Sequence, residues 1–268
     1  MHLGFIPPPP FSVFEIGPLS IYVYGILIGI GVVAAVTITV NRYERFGGDP
    51  KLAERASLWA IFLGFAGARA AYVSTHLDRF QDEWWKVIAI WEGGIALFGG
   101  LTAGAITAFV YLRRHGGDFA AYADAAAVGI PVAQAIGRWG NYFNQELFGT
   151  PTTLSWALEV ETPFRPARYA EFETFHPTFL YESTWNLLIV VPLVLWVERR
   201  GWLPRGGLFF VYLAAYGFMR FMLELIRTDT TFRLLGLSRN GWVAAFVTIG
   251  SGIGLVVLSR RKATAGLA

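Results

Sequence analysis

Four arginines stand where apolar sequence normally excludes them: Arg69, Arg138, Arg220 and Arg227. Each lies inside or at the edge of a long hydrophobic stretch, where an unpartnered guanidinium costs about 2.5–3.5 kcal/mol or more at mid-membrane depth. Each must therefore face a carboxylate, a cavity or a ligand. Acidic companions exist in Glu92, Glu146, Glu182 and Glu224; Arg220, Glu224 and Arg227 fall at i, i+4, i+7 and share one helix face. Ion pairs that hold helices together are one reading. The other starts from shape. Guanidinium forks match phosphate oxygens, and four arginines among uncharged Asn and Tyr would be balanced by one anionic lipid headgroup. That chemistry is phosphate binding at a lipid surface. Gly64 and Gly67 before Arg69, then Gly93-Gly94, Gly99-Gly100 and Gly104, suit either close helix packing or the approach of a bulky ligand to backbone.

The elements that carry these groups follow from composition. Of 268 residues, 54% are hydrophobic and 15% charged, with mean hydropathy +0.46. A soluble domain carries roughly a quarter charged residues. The absence of cysteine excludes a disulfide scaffold, an enzyme thiol and a thiolate metal site, and a net charge of +3 gives no case for nucleic acid. Seven apolar stretches, near 19–40, 53–74, 87–112, 119–138, 179–197, 207–227 and 241–258, predict an all-α integral membrane protein with about seven transmembrane helices. Residues 1–18 hold no Lys or Arg, so no cleavable leader is expected. Alternate connectors hold 11 and 6 basic residues, which places the N-terminus outside and the C-terminus in the cytoplasm. With that orientation, all four intramembrane arginines converge on the outer leaflet. The whole chain, 1–268, reads as a single polytopic domain, with 139–178 as a small extracytoplasmic head in which Leu154–Val160 could form a short strand. Trp84, Trp85 and Trp91 fit interfacial anchors.

The densest polar run is Gly137-Arg138-Trp139-Gly140-Asn141-Tyr142-Phe143-Asn144-Gln145-Glu146-Leu147-Phe148-Gly149. It resembles the GRxGNxxNxExxG signature of the bacterial prolipoprotein diacylglyceryl transferases. Other blocks are similar to that family in the same order: Tyr22-Val23-Tyr24-Gly25, Gly93-Gly94 with Gly99-Gly100, Asp124, His176 through Glu182, and Arg220-Phe221 through Glu224 to Arg227. The resemblance implies transfer of a diacylglyceryl group from phosphatidylglycerol to the lipobox cysteine of a preprolipoprotein signal peptide, at the outer face of the cytoplasmic (inner) membrane. Glycerol phosphate would be the second product. No cofactor or metal is implied, and the partners would be phosphatidylglycerol, the preprolipoprotein and membrane lipids.

Carried onto this chain, the resemblance makes Arg138 and Arg220 the expected catalytic arginines. Asn141 and Asn144 would orient the headgroup, Glu146 would fix Arg138, and Glu224 would fix Arg220 or Arg227. Tyr24, Arg69, Gly99 and Gly100 are expected at the substrate wall, and Gly149 in a turn that folds the signature back. One position departs. The family often has a histidine before the second glycine pair, where this chain has Phe98, which cannot accept a proton. His176 could act as a base or simply orient a turn; Glu146, the leaving phosphate, or arginines that lower the thiol pKa are the alternatives. A transporter would place polar groups through the full membrane depth, and an intramembrane protease would need a Ser/His pair or two aspartates within spans; neither pattern is present. A catalytically dead lipid-binding relative finds its one supporting feature in Phe98.

Overall fold

A computed structural model describes residues 5–89, 91, 93–229 and 233–265. Glu92 lies outside the described residues. The chain divides into two compact units, Met1–Ile38 with Ala126–Ala268, and Thr39–Ala125. Six of the described helices are long and apolar enough to cross a membrane.

The first unit opens with an antiparallel hairpin of β1 (Val13–Ile16) and β2 (Leu19–Tyr22), turned at Gly17 with φ +60°. The hairpin delays the first helix, so α1 runs Val23–Arg45 rather than from residue 19. α4 (Phe119–Phe143) continues five residues past the expected end of its apolar stretch, which makes Arg138, Asn141 and Tyr142 helical. α1 lies close against it: a Cβ on Gly31 would come 3.0 Å from the Ala133 carbonyl oxygen. Outside α4, β3 (Leu158–Glu159) pairs antiparallel with β4 (Thr174–Phe175) over a small core of Phe148, Leu158, Val160, Phe175 and Phe179. The expected strand is thus present, trimmed to two residues.

The next span, Thr178–Arg200, is not one regular helix. α5 (Thr178–Trp185) passes into a π-helical segment, Asn186–Val190, before α6 (Val191–Arg200) resumes. α7 (Gly207–Ile226) packs on α8 (Arg239–Ala265), and a short hairpin, β5 (Arg233–Leu234) with β6 (Leu237–Ser238), leads into α8. Close approach there uses Gly217, where a Cβ would meet Thr248 Oγ1 at 2.6 Å.

The second unit centres on α2 (Pro50–Thr75) and α3 (Leu97–Arg114). Asp49 caps α2 through the Lys51 amide at 2.9 Å, with Pro50 at the first helical position. The expected third span, 87–112, is shortened at its start. Trp84–Ile88 form a 3₁₀ turn, and Gly93 and Gly94 adopt φ +82° and +75°, which no continuous helix tolerates. The result is an 18-residue helix that ends on two arginines, which is why it falls outside the six. Its glycines form the contact with α2. A Cβ on Gly99 would sit 2.3 Å from Ala71 Cβ, one on Gly100 3.1 Å from Ala68 Cβ, and one on Gly67 2.3 Å from Ala103 Cβ.

Candidate active site

Helix periodicity sets the site in the first unit. On α7, Tyr216, Arg220 and Glu224 recur every four residues and face one side, while Arg138 stands near the end of α4 and Glu182 in the first turns of α5. These residues meet. Arg138 Nε pairs with Glu182 Oε1 at 2.8 Å, and the Tyr216 hydroxyl donates to the same oxygen at 3.0 Å. Glu182 is 2% exposed, so its charge depends on these partners. Arg138 Nη1 also donates to Asn141 Oδ1 at 3.1 Å. Asn141 Nδ2 in turn donates to Glu146 Oε1 at 2.9 Å, and Asn144 Nδ2 to the same oxygen at 3.3 Å. Glu146 therefore acts on Arg138 through Asn141, and the carboxylate in direct contact is Glu182.

Arg220 Nη2 pairs with Glu224 Oε2 at 2.9 Å, while the Ser238 hydroxyl donates to Glu224 Oε1 at 2.6 Å. Arg227 makes a two-pronged pair with Asp229, at 2.7 Å from Nε and 2.6 Å from Nη2. Burial works to raise the Asp229 carboxyl, but the Arg227 hydrogen bonds and charge outweigh it and hold the group below its ordinary value. Each of these three arginines thus has a carboxylate of its own, so the site has no simple cationic surplus. What it has is an unused donor. Arg220 Nη1 is buried without a hydrogen-bond partner and belongs to a residue that lines a cavity of about 10 Å³, together with Arg138, Asn141, Leu147, Thr178 and Glu182. That volume holds about one water.

A second, larger space of about 650 Å³ lies beside it, lined by Phe11, Tyr22, Asn144, Glu146, Phe164 and Asp229 among others. Leu147 lines both spaces. The turn that puts it there is made by two non-glycine residues, Gln145 and Leu147, at φ +49° and +58°. Their left-handed backbone is held by side-chain bonds: Gln145 Nε2 donates to Glu161 Oε2 at 2.7 Å, the Glu161 amide donates to Gln145 Oε1 at 2.8 Å, and Thr178 Oγ1 donates to the Leu147 carbonyl at 2.5 Å. Gly149 is not the reversal point. It bridges to Arg227, and a Cβ there would lie 2.8 Å from His176 Cβ and 3.2 Å from the Ile226 carbonyl oxygen. Gly149 lets the signature strand lie on the end of α7.

Tyr24, in the first turn of α1, lays its ring against the signature helix: a Cβ on Gly140 would reach within 2.0 Å of Tyr24 Cδ2. Arg69, Gly99 and Gly100 are in the second unit. The Arg69 guanidinium donates there to four carbonyls, those of Lys86, Val87, Gly93 and Gly94, at 2.5–2.8 Å. Its side chain also lies over the rings of Tyr72 and Phe80. Arg69 is a clasp on the 86–94 loop, and Gly99 and Gly100 are helix-contact positions. Phe98 is half exposed on α3. His176 shares a hydrogen bond between Nδ1 and the Tyr181 hydroxyl at 3.1 Å, and its burial pushes the ring below its ordinary pKa. Among the described residues no group of three His, Cys, Asp or Glu side chains is placed to hold a metal ion.

Sequence reasoning names Glu182 as an acidic companion of the arginines without assigning it to Arg138, and does not single out Tyr216 or Asp229. A signal exists for Tyr216, which precedes Arg220 by one turn.

Residues 12–258 match the family described as prolipoprotein diacylglyceryl transferase. A phosphatidylglycerol–prolipoprotein diacylglyceryl transferase 2 of Streptomyces coelicolor is 41% identical over 97% of this chain and 83% of its own length. Enzymes of the same name from Frankia alni and Cutibacterium acnes are 44% and 41% identical, over 97% and 96% of this chain and 69% and 87% of theirs. A membrane chain with this signature, these paired arginines and this extent of similarity belongs to the prolipoprotein diacylglyceryl transferase family.

Proposed function

We propose that the chain transfers the diacylglyceryl group of phosphatidylglycerol to the cysteine thiol in the lipobox of a preprolipoprotein signal peptide. The observation that carries the chemistry is the small arginine-lined cavity with its spare donor, Arg220 Nη1. The thiol sulfur forms a bond to the glyceryl carbon, and the bond from that carbon to the phosphate oxygen breaks. The electron pair leaves on glycerol phosphate, whose phosphate takes up the proton that the thiol gives up. Negative charge grows on that oxygen in the transition state, so donors aimed there beforehand act on the barrier itself. Arg220 offers Nη1 from a guanidinium clamped by Glu224 and Ser238, and Arg138 is held in place by Glu182, Tyr216 and Asn141. Asn144 and Glu146 orient the headgroup from the wider space, Arg227 lines the small cavity, and Tyr24 packs on the signature helix at Gly140. No histidine is needed. The arginines favour the thiolate, and Phe98 removes the position at which a histidine base would stand.

In this reading α3 is the seventh membrane helix, the N-terminus faces outward, the C-terminus is cytoplasmic, and 139–178 form an extracytoplasmic head in a single polytopic enzyme of the inner membrane. Glycine-lined contact along α2 and α3 supports a shortened but membrane-embedded α3. The test is turnover of a lipobox peptide by the full chain in phosphatidylglycerol vesicles, followed by mass. The peptide cysteine should gain a diacylglyceryl group with the natural chain and not with Arg138→Ala. A folded natural chain that leaves the peptide unmodified overturns the proposal.

A further inference from the structure

One helical turn below the charged site, the same three helices repeat its arrangement with uncharged groups. Gln134 stands four residues before Arg138 on α4, Asn186 four after Glu182, and Tyr212 four before Tyr216 on α7. These three also meet. Gln134 Nε2 donates to the Tyr212 hydroxyl at 3.0 Å, and Asn186 Nδ2 donates to Gln134 Oε1 at 3.4 Å. Tyr212 and Tyr216 stack with ring centres 5.9 Å apart and planes 21° from parallel, which joins the two layers. Asn186 is fully buried and Tyr212 is 4% exposed, and neither belongs to the lining of the charged layer's cavity.

Two buried polar side chains, Asn186 and Tyr212, joined by a half-buried Gln134, are costly in an apolar bundle unless they specify something. Two of the three helices lose backbone regularity beside them. α4 carries Pro131 one turn before Gln134, which removes a helical N–H, and the π-helical segment begins at Asn186 itself. Backbone bonding alone therefore fixes the axial register and rotation of α4 and α5 poorly at this height, just where Arg138 and Glu182 must be aimed.

We infer that Gln134, Tyr212 and Asn186 are positioning residues: a neutral layer that sets the register of three helices so that Arg138, Glu182 and Tyr216 hold the guanidinium on the departing phosphate. The inference rests on the transferase reading and deepens it. It predicts coupling between layers. Gln134→Leu and Tyr212→Phe should each lower kcat about tenfold, the effect of one misaligned hydrogen bond, with KM for phosphatidylglycerol changed by less than about twofold. In a Glu182→Gln background, which keeps an acceptor for Arg138 but relaxes its aim, the same substitutions should cost less than about twofold in kcat. Loss by the same factor in both backgrounds, or no loss in the natural one, overturns the inference. Tyr212→Phe keeps the stack with Tyr216 and carries the same expectation if Gln134→Leu does not fold. Binding of glycerol phosphate to the purified full chain, read by calorimetry, separates the two claims: it should weaken about tenfold in Tyr212→Phe. If the natural chain binds glycerol phosphate but modifies no peptide, the transferase reading fails, while unchanged binding in Tyr212→Phe overturns the layer.

Discussion

Replacing Arg220 by lysine keeps the charge and removes the fork. In the natural chain the two ends of that fork have different occupations: Nη2 sits 2.9 Å from Glu224 Oε2, and Nη1 is buried without a partner in a residue that lines the small cavity. A lysine ammonium is one point on a flexible stem and cannot hold both positions. Glu224 is 2% exposed and already accepts from Ser238 Oγ at 2.6 Å, so the ammonium will stay with Glu224 rather than leave it uncompensated. The donor lost is the one that the proposed mechanism gives to the leaving phosphate. A hydrogen bond to a charged group is worth about 1.5–3 kcal/mol, which at about 1.4 kcal/mol per decade is roughly a 10- to 150-fold fall in kcat. The assay is peptide turnover in phosphatidylglycerol vesicles at saturating lipid, with thermal unfolding as the control for folding. Folding should be nearly unchanged because the buried ion pair survives. A folded Arg220→Lys enzyme within about twofold of the natural kcat would refute the reasoning, since the second fork position would then have no role in the transition state.

Gly149→Ala should destabilise the chain by about 1–3 kcal/mol, because the new methyl group meets His176 Cβ and the Ile226 carbonyl; thermal unfolding measures it, and an unchanged Tm would show that the contact relaxes freely. Arg69→Lys should surrender at least two of four hydrogen bonds to the 86–94 loop, about 3 kcal/mol or more, seen as faster proteolysis and amide exchange in that loop; unchanged protection contradicts the clasp. His176→Ala should retain turnover within about threefold, against the 10²–10⁴-fold that a general base contributes; abolished turnover in a folded variant would make His176 the base. Burial lowers the His176 pKa in the fold, so the unfolded chain takes up the proton first and stability falls as pH drops below about 6.5. The same variant should therefore lose less Tm than the natural chain between about pH 6.5 and 5.

Local spacing makes part of this site legible in the amino-acid sequence alone. Arg220 and Glu224 are one turn apart, so their pairing follows from helical geometry, and it is observed. The pairing of Arg138 with Glu182 joins positions 44 residues apart on different helices, and no periodicity encodes that distance. The same holds for Gln134 and Tyr212. Seven apolar stretches are visible, but the start of α3 is not: Gly93 and Gly94 are compatible with a membrane helix on hydropathy, and only their positive φ shows that the helix has yet to begin. The signature turn misleads in the opposite direction. Glycine is the usual left-handed residue, so Gly149 draws the turn to itself, whereas Gln145 and Leu147 hold it through tertiary hydrogen bonds absent from any local rule. Glycines on α2 and α3 fit two readings, and the Cβ distances decide for contact between helices.

Leu147 has a bearing on which product forms. Water is the most abundant nucleophile at any membrane surface, and an activated glyceryl carbon that water reached would give free diacylglycerol instead of a lipidated protein. An isobutyl side chain, held at φ +58° against its own preference, lines both the one-water cavity and the open space next to it. Leu147 thus puts apolar surface at the boundary the two spaces share, and the arginine-lined side has room for about one solvent molecule.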